Sequence, residues 1–398
     1  MRPNRVLLLL WALAVLAWLS LPLVGIAPNR ILTPVGQSYL TLLGGGHGWW
    51  LLLPMLLLGA LALGWWRWQV AASTLGLSAL ALALLAALAG QFASQGAMSA
   101  PDARFGLGGG FWVLLLLWWL MADDASKRLS LNGGWRMAAA LLFWMPLLLV
   151  LASGTTDALS LWQEYRANRA SFHAALGEHL RIVGITLGLS GVLGLGLGIR
   201  SAFHAGFGRV CLNVLGIVQT VPSIALFGLL IAPLSALSHA WPTLATLGIR
   251  GIGMAPAVIA LVAYALLPMV RATVAGLQQV PAQMVDAARG MGMSARQILW
   301  RVQLPLALPV VLSGLRVTAV QTIGLTVLAA LIGAGGFGAL MFRGLAASAL
   351  DLVLLGVVPV VLLAAASDAV FLWLTRASTR GRPGFGSHDA TLAGLPGS

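Results

Sequence analysis

The sequence contains few charged residues: 8% of its 398 residues are charged, while 60% are hydrophobic. This composition excludes an ordinary soluble globular protein and indicates a polytopic membrane protein. Lysine occurs once, at Lys127, which lies between Ser126 and Arg128, so the Gly-Lys-Ser/Thr element of a phosphate-binding P-loop is missing. Cysteine also occurs once, at Cys211, which excludes an internal disulfide and is typical of a small buried apolar residue.

The net charge of +13 would suit a nucleic-acid-binding protein, but the basic residues are scattered between apolar runs. No basic stripe with interleaved aromatics occurs, so nucleic acid is not an expected partner. If the N-terminus is cytoplasmic, fifteen basic residues fall in cytoplasmic segments and seven on the opposite side. The positive-inside rule therefore predicts that both termini are cytoplasmic.

Ten apolar runs approach the length of about 20 residues that a helix needs to cross a bilayer, although the fourth is short. These predicted spans cover residues 1–26, 49–66, 70–92, 107–121, 137–152, 182–199, 210–233, 251–270, 308–332 and 352–374. The first could be a cleaved signal peptide, but its apolar core is long and its cleavage site is poor, which favours a retained span.

A polar stretch at residues 155–178 divides the chain and carries both glutamates, Glu164 and Glu178. It predicts an extracytoplasmic amphipathic linker between an accessory region of about five spans at residues 1–154 and a second membrane region. Thirteen of the sixteen tryptophans lie at or before Trp162, many at the ends of spans. They could form an aromatic cage for a cation, but interfacial anchoring is the favoured interpretation.

The longest polar interruption of the second half, residues 281–305, predicts two short helices on the cytoplasmic side of the membrane. Pro281 suits the first position of a helix, Gly292 provides a turn, and Ser294 with Gln297 forms a capping box that opens the second helix. That second helix is expected to end before Pro305.

The same stretch resembles the cytoplasmic coupling loop of the permease subunits of ABC importers. That family's pattern is Glu-Ala-Ala, three residues, Gly, nine residues, an aliphatic residue, any residue and Leu-Pro. Every spacing is matched, with Asp in place of Glu and Val in place of Ile, by Asp286, Ala287, Ala288, Gly292, Val302, Leu304 and Pro305. The resemblance implies that the loop docks in a groove of a separate ATP-hydrolysing subunit.

Three further runs are similar to segments of the permeases that import glycine betaine, choline and related osmoprotectants; these runs cover residues 219–226, 263–271 and 331–338. The resemblance implies an all-α type I importer core with five spans at residues 179–377, followed by a disordered cytoplasmic tail at 378–398. It also implies a bacterial inner-membrane protein with three partners: an ATPase that binds ATP and Mg²⁺, a second permease chain of the same or a paralogous kind, and an extracytoplasmic substrate-binding protein. The permease itself would need no cofactor or metal and perform no catalysis.

Polar residues inside spans are expensive and are therefore functional candidates. Arg316 and Asp368 lie at similar depths, which predicts an ion pair that is structural rather than substrate-binding. Gln219, Thr220 and Gln321 either face a translocation pathway or form hydrogen bonds between helices, and the sequence favours neither interpretation.

Glycines give two further predictions. Residues 333–338 spell GxGxxG, but no strand precedes them, so a tight turn is favoured over a dinucleotide site. The pairs Gly184 with Gly188 and Gly194 with Gly198 have the spacing of close helix packing.

Two other functions fit a polytopic chain. An ion-coupled secondary transporter or channel would need buried acidic residues along a pathway, for which only Asp368 is a fair candidate. A membrane scaffold subunit without a pathway would use the tryptophan-rich first half as its main partner surface.

Overall fold

The computed structural model describes residues 4–29, 32–44, 48–63, 68–100, 102–129, 133–246 and 248–379. Within these ranges the chain is mostly helical and forms two compact units. Unit 1 comprises Met1–Arg169 and Gly344–Leu354, and unit 2 comprises Ala170–Arg343 and Leu355–Ser398.

Unit 1 is a helical bundle with a small sheet. Its elements are α1 (Arg5–Ser20), β1 (Pro22–Ala27), β2 (Val35–Ser38), α2 (Tyr39–Gly44), α3 (Leu52–Leu63), α4 (Trp68–Ser99), β3 (Arg104–Leu107), α5 (Gly109–Arg128), α6 (Gly133–Ala152) and α7 (Ser160–Ala167). Helix α4 packs against α3, α5 and α6, and α1 packs against α5. Large side chains such as Leu82, Trp118 and Phe143 are fully buried in this bundle, which therefore has its own apolar core.

The three strands form an antiparallel sheet in the order β2, β1, β3. Gly25 at its centre pairs with Gly36 on one side and with Gly106 on the other. The prediction of one span over residues 1–26 is wrong, because the helix ends at Ser20 and a strand follows. The reason is Pro22, which lacks an amide hydrogen and holds the preceding residue in extended conformation.

Unit 2 is built from long helices joined by short ones. The elements are α8 (Arg169–Phe203), α9 (Ala205–Thr220), α10 (Ser223–Ala240), α11 (Pro242–Thr246), α12 (Met254–Gln278), α13 (Ala282–Gly290), α14 (Ala295–Ile298), α15 (Leu304–Thr326), α16 (Phe337–Ala346) and α17 (Leu350–Thr379). Helices α12 and α15 form the most extensive contact, and α9 and α10 also pack on α12. Helix α12 is therefore the centre of the unit.

The predicted span at residues 210–233 is wrong, because two helices replace it. Helix α9 ends at Thr220, Val221 and Pro222 are extended with ψ of 128° and 135°, and α10 begins at Ser223. Proline again causes the break, since it removes a helical donor and restricts the residue before it.

Close packing is confirmed for one pair of glycines and not for the other. A Cβ at Gly194 or Gly198 would lie 2.5 or 2.4 Å from the Cβ atoms of Met269 and Thr273 on α12. At Gly184 and Gly188 a Cβ would meet no atom within 4 Å, so the prediction there is wrong within this chain.

Six helices of the described residues are long and apolar enough to cross a membrane: Gln69–Ser99, Arg169–Phe203, Ser223–Ala240, Met254–Gln278, Ala295–Thr326 and Leu350–Thr379. Shorter apolar helices include Arg5–Ser20, Trp49–Leu63 and Ala138–Ala152. The total of ten spans stays a prediction, and the end of the predicted span 49–66 lies outside the described residues. Most of the predicted tail, from residue 380 onward, also lies outside them.

Candidate functional site

The polar stretch at residues 281–305 forms a helix, a glycine turn and a second helix, as predicted. Helix α13 begins at Ala282, one residue after Pro281, and ends at Gly290. Gly292 follows in the left-handed conformation with φ of 81°. Its N–H donates to the carbonyl of Arg289 at 2.9 Å, and the next N–H donates to that of Ala288 at 3.1 Å. This double hydrogen bond is a Schellman motif, which requires a residue that tolerates positive φ.

The second helix opens with the predicted capping box. The side chain of Ser294 accepts a hydrogen bond from the Gln297 backbone N–H at 3.4 Å, and the Gln297 side chain accepts from the Ser294 N–H at 2.8 Å. Two backbone donors that the first turn would leave unpaired are thereby satisfied. The cap fixes where the second helix begins.

The prediction that the second helix ends before Pro305 is wrong. Helix α14 passes into a single wide π-helical turn at Leu299–Gln303, and α15 continues directly from it at Leu304. A proline inside an α-helix removes a donor and crowds the carbonyl four residues earlier, and such a π turn relieves this crowding. Val302 lies in this turn. Because α15 follows the turn directly, the second helix of the pair is continuous with the long helix α15.

The helix pair presents an exposed surface. Asp286, Ala287 and Gly292 are exposed, as are the large side chains of Met291 and Trp300, while Ala288 and Ile298 are buried. The carboxylate of Asp286 accepts a hydrogen bond from Arg289 at 3.1 Å, with more than two thirds of both side chains exposed. A cavity of about 310 Å³ beside the turn is lined by Phe203, Val285, Arg289, Met293, Ala295, Ile298 and Gln303.

The predicted ion pair between Arg316 and Asp368 is confirmed. Arg316 Nε lies 2.5 Å from Asp368 Oδ1, and Arg316 Nη2 lies 2.7 Å from Asp368 Oδ2. Two parallel hydrogen bonds of this kind are the strongest geometry that arginine offers to a carboxylate. The pair joins α15 to α17.

Gln219 and Thr220 make hydrogen bonds within the protein. The Gln219 amide donates to the carbonyl of Tyr264 at 2.9 Å, and the Tyr264 hydroxyl donates to the carbonyl of Val221. The Tyr264 carbonyl lies four residues before Pro268, which has no N–H to donate to it, so Gln219 satisfies an acceptor that the proline leaves free. Thr220 donates to a carbonyl of its own helix at 2.7 Å. Gln219 therefore connects the break between α9 and α10 to α12, and the hydrogen-bonding alternative of the sequence is confirmed for it.

Gln321 lies half-buried on α15. The glycine run at residues 333–338 is a tight turn, as predicted, with positive φ at Gly333, Gly335 and Gly336. Glu178 was not predicted to make a specific contact, but its carboxylate accepts a hydrogen bond from the Gly336 N–H at 2.8 Å, at the start of α16. This contact joins residues 158 positions apart, so no local pattern could have indicated it.

Comparisons with known families cover most of the chain. Residues 3–162 match the family described as "ABC transporter permease YehY, N-terminal domain", a region in which no motif had pointed to a family. Residues 192–380 match the family described as "Binding-protein-dependent transport system inner membrane component".

Two individual relatives, both named as permeases, agree with this assignment. The chain is 37% identical to the osmoprotectant import permease protein OsmW of Salmonella typhimurium over 51% of this chain and 90% of that protein. It is 32% identical to the glycine betaine/carnitine/choline transport system permease protein OpuCD of Bacillus subtilis, over 47% of this chain and 75% of that protein. Among solved structures, a chain of the inward-facing MetNI methionine ABC transporter is similar at 21% identity and a TM-score of 0.47, covering 53% of this chain and 98% of that chain. The chain belongs to the family of binding-protein-dependent transport system inner membrane components, and it is a multi-pass membrane permease of the ABC importer type.

Proposed function

We propose that this chain is the permease subunit of an ATP-driven importer for a small osmoprotectant such as glycine betaine or choline. The names of its relatives support this substrate class, since these proteins are permeases for osmoprotectants, glycine betaine, carnitine or choline. The chain forms the translocation pathway and performs no covalent chemistry. The observation that carries the proposal is the exposed helix pair at residues 281–305.

The helix pair is the surface that docks on a separate ATPase. Its capped and hydrogen-bonded turn is rigid, and its second helix runs without interruption into α15, so a displacement of the pair would be transmitted to a helix of the membrane region. The docking loop is the family pattern of Asp286, Ala287, Ala288, Gly292, Val302, Leu304 and Pro305, in which Asp286, Ala287 and Gly292 are exposed and Ala288 is buried. ATP and Mg²⁺ are bound by the ATPase, and this chain itself needs no cofactor.

The remaining partners are a second permease chain, identical or paralogous, and an extracytoplasmic substrate-binding protein. The excess of basic residues in the predicted cytoplasmic segments supports an orientation with both termini in the cytoplasm. The family supports a location in the inner membrane of a bacterium. Conversion between outward and inward access follows closure of the ATPase subunits.

Among the intramembrane polar residues, Gln321 is the best candidate for the pathway. Gln219 and Thr220 already donate to backbone carbonyls, and the bidentate pair of Arg316 and Asp368 holds two helices together. We assign a structural role to these four residues.

Co-purification of the ATPase encoded with this permease tests the docking surface. Gly292→Val places a β-branched residue at a φ of 81°, where strain of about 1–3 kcal/mol distorts the turn. Gly290→Ala is the matched control, because Gly290 is helical and a Cβ there meets no atom within 4 Å. We expect Gly292→Val to lose the ATPase and Gly290→Ala to retain it; equal retention by both variants would contradict the proposal.

Uptake into proteoliposomes that contain all partners tests the substrate class. Glycine betaine and choline are compared with an amino acid and a sulfonate at equal concentration. Faster uptake of the amino acid or the sulfonate would refute the osmoprotectant assignment and leave the docking proposal intact.

A further inference from the structure

The boundary between the two units of the structure differs from the boundary between the two matched families. Residues 344–354 lie within the sequence range of the permease family, which extends from residue 192 to 380. In the structure they belong to unit 1, together with the whole N-terminal region. This segment, which we name the 344–354 turn, contains the end of α16, a short connection and the start of α17.

The contact that holds the turn is centred on Asp351, in the first helical turn of α17. It faces Gly106 of β3 so closely that a Cβ at Gly106 would lie 3.1 Å from Asp351 Oδ1 and 3.4 Å from the hydroxyl of Ser160 on α7. Glu164 and Arg104 are near enough to interact electrostatically with the Asp351 carboxylate. Ser160 and Glu164 are only 1% and 3% exposed and Asp351 is half-buried, so the carboxylate lies against buried polar groups.

The turn itself is tightly constrained. Ser348 has φ of 52°, a conformation that costs a non-glycine residue about 1–2 kcal/mol and persists only where the surroundings impose it. The Ala349 N–H donates to the Gly344 carbonyl at 2.8 Å, and a Cβ at Gly344 would lie 2.7 Å from the backbone nitrogen of Val353. Ala349 is also buried, so the two helices meet with no room for adjustment.

We infer that unit 1 is a fixed anchor for the start of α17, and that Asp351 is the positioning residue of this anchor. Separation of the contact would take the buried Ser160 hydroxyl away from the Asp351 carboxylate, and a buried polar group left unpaired costs about 1–3 kcal/mol. An element with such a penalty stays closed while other parts of a transporter move. The N-terminal region would thus hold one end of a membrane helix stationary during transport, a consequence that rests on the proposed function.

Hydrogen–deuterium exchange of the purified full chain tests the anchor without any transport. Gly106→Ala places a Cβ 3.1 Å from Asp351 Oδ1, so the carboxylate must shift by a few tenths of an ångström, and Asp351→Ala removes the carboxylate. The matched controls are Gly109→Ala, where a Cβ meets no atom within 4 Å, and Asp157→Asn, which breaks an exposed ion pair of the same unit. We expect about tenfold faster exchange of the 344–354 turn in Asp351→Ala, equivalent to about 1.4 kcal/mol, a smaller increase in Gly106→Ala, and wild-type exchange in both controls. Unchanged exchange in Asp351→Ala would overturn the anchor.

A cross-link tests whether the anchor is stationary. In a Cys211→Ser background, Gly106→Cys and Asp351→Cys are joined by a short bifunctional thiol reagent, which can enter through a cleft of about 210 Å³ lined by Gly106, Ser348 and Asp351 among others. We expect osmoprotectant uptake by the joined protein to equal that of the unjoined protein. Uptake that stops on cross-linking would show that the contact opens, and would refute the fixed anchor. Failure of the unmodified protein to take up any osmoprotectant would count against the proposed function alone, because the exchange experiment still decides the anchor.

Discussion

The ion pair of Arg316 and Asp368 allows a quantitative test by a double-mutant cycle. Arg316→Ala leaves the carboxylate of Asp368 without its two hydrogen bonds in the interior of an apolar helix. An unpaired charge at the centre of a span costs about 2.5–3.5 kcal/mol on insertion scales. The two side chains retain 33% and 41% of their exposed area within this chain, so we expect about 2 kcal/mol for each single replacement.

The double variant Arg316→Ala/Asp368→Ala removes both charges and should lose no more stability than either single variant. The cycle then gives a coupling free energy of about 2 kcal/mol. Arg316→Lys should lose about half as much as Arg316→Ala, because an ammonium group cannot form the bidentate contact. Reversible unfolding of the purified chain in mixed micelles measures each free energy of unfolding.

The exposed pair of Asp286 and Arg289 provides the control cycle. Its side chains are 67% and 69% exposed, and a pair at this spacing should couple by only about 0.3–0.5 kcal/mol. If the Arg316 and Asp368 losses add to within about 0.5 kcal/mol, as those of independent sites do, the reasoning about the pair is wrong.

Three further predictions concern helix contacts in unit 2, each measured by the same unfolding assay. Gln219→Leu leaves the Tyr264 carbonyl on α12 without its donor, and Tyr264→Phe leaves the Val221 carbonyl at the break between α9 and α10 without its donor, so each should cost about 1–2 kcal/mol; stability equal to wild type would refute the role of these bonds. Gly194→Ala should destabilise the chain by about 1–3 kcal/mol, because its Cβ would lie 2.5 Å from Met269 on α12. At Gly188 a Cβ meets no atom within 4 Å, so Gly188→Ala should not destabilise the chain; equal effects would contradict the packing. Glu178→Ala should cost about 1–2 kcal/mol by removing the cap of α16, and Glu178→Gln should retain most of the stability, since an amide oxygen can still accept the bond; equal losses would argue against a capping role.

Local patterns in the sequence predicted the helix pair well. Ser294 and Gln297 are three residues apart, and Gly292 lies where a left-handed residue is required, so both features depend on short stretches of chain. The pair of Arg316 and Asp368 was predictable for a different reason: a charged residue in an apolar helix needs a partner, and few candidates existed at the same depth.

Prolines caused the main errors of the sequence prediction. Pro22 and Pro222 each interrupt an apolar run that was predicted to be one continuous span. The high apolar content of these runs does not show where the helix stops. Pro305 had the opposite effect, because a π turn accommodates it and the helix continues. Whether a proline ends, breaks or widens a helix depends on whether neighbouring groups can satisfy the carbonyl that it leaves without a donor and relieve the crowding by its ring.

Apart from the pair of Arg316 and Asp368, the contacts between distant residues described above were not predicted from the sequence. From the sequence, Gln219 could either face a pathway or form a hydrogen bond between helices, and only the structure identifies its partner, the carbonyl of Tyr264. No contact was predicted for Asp351, because its neighbours Gly106 and Ser160 precede it by about 200 residues or more in the sequence. The sheet was missed since its strands are short and lie among apolar helices.

ATP-dependent uptake of radiolabelled glycine betaine tests the central claim most directly. Proteoliposomes contain this permease, the partner ATPase and the substrate-binding protein, and the comparison is made between wild type, Gly290→Ala and Gly292→Val. We predict uptake that requires ATP and the ATPase, is retained in Gly290→Ala and is lost in Gly292→Val. Uptake by the permease alone in response to an ion gradient, or full ATP-driven uptake by Gly292→Val, would contradict the account.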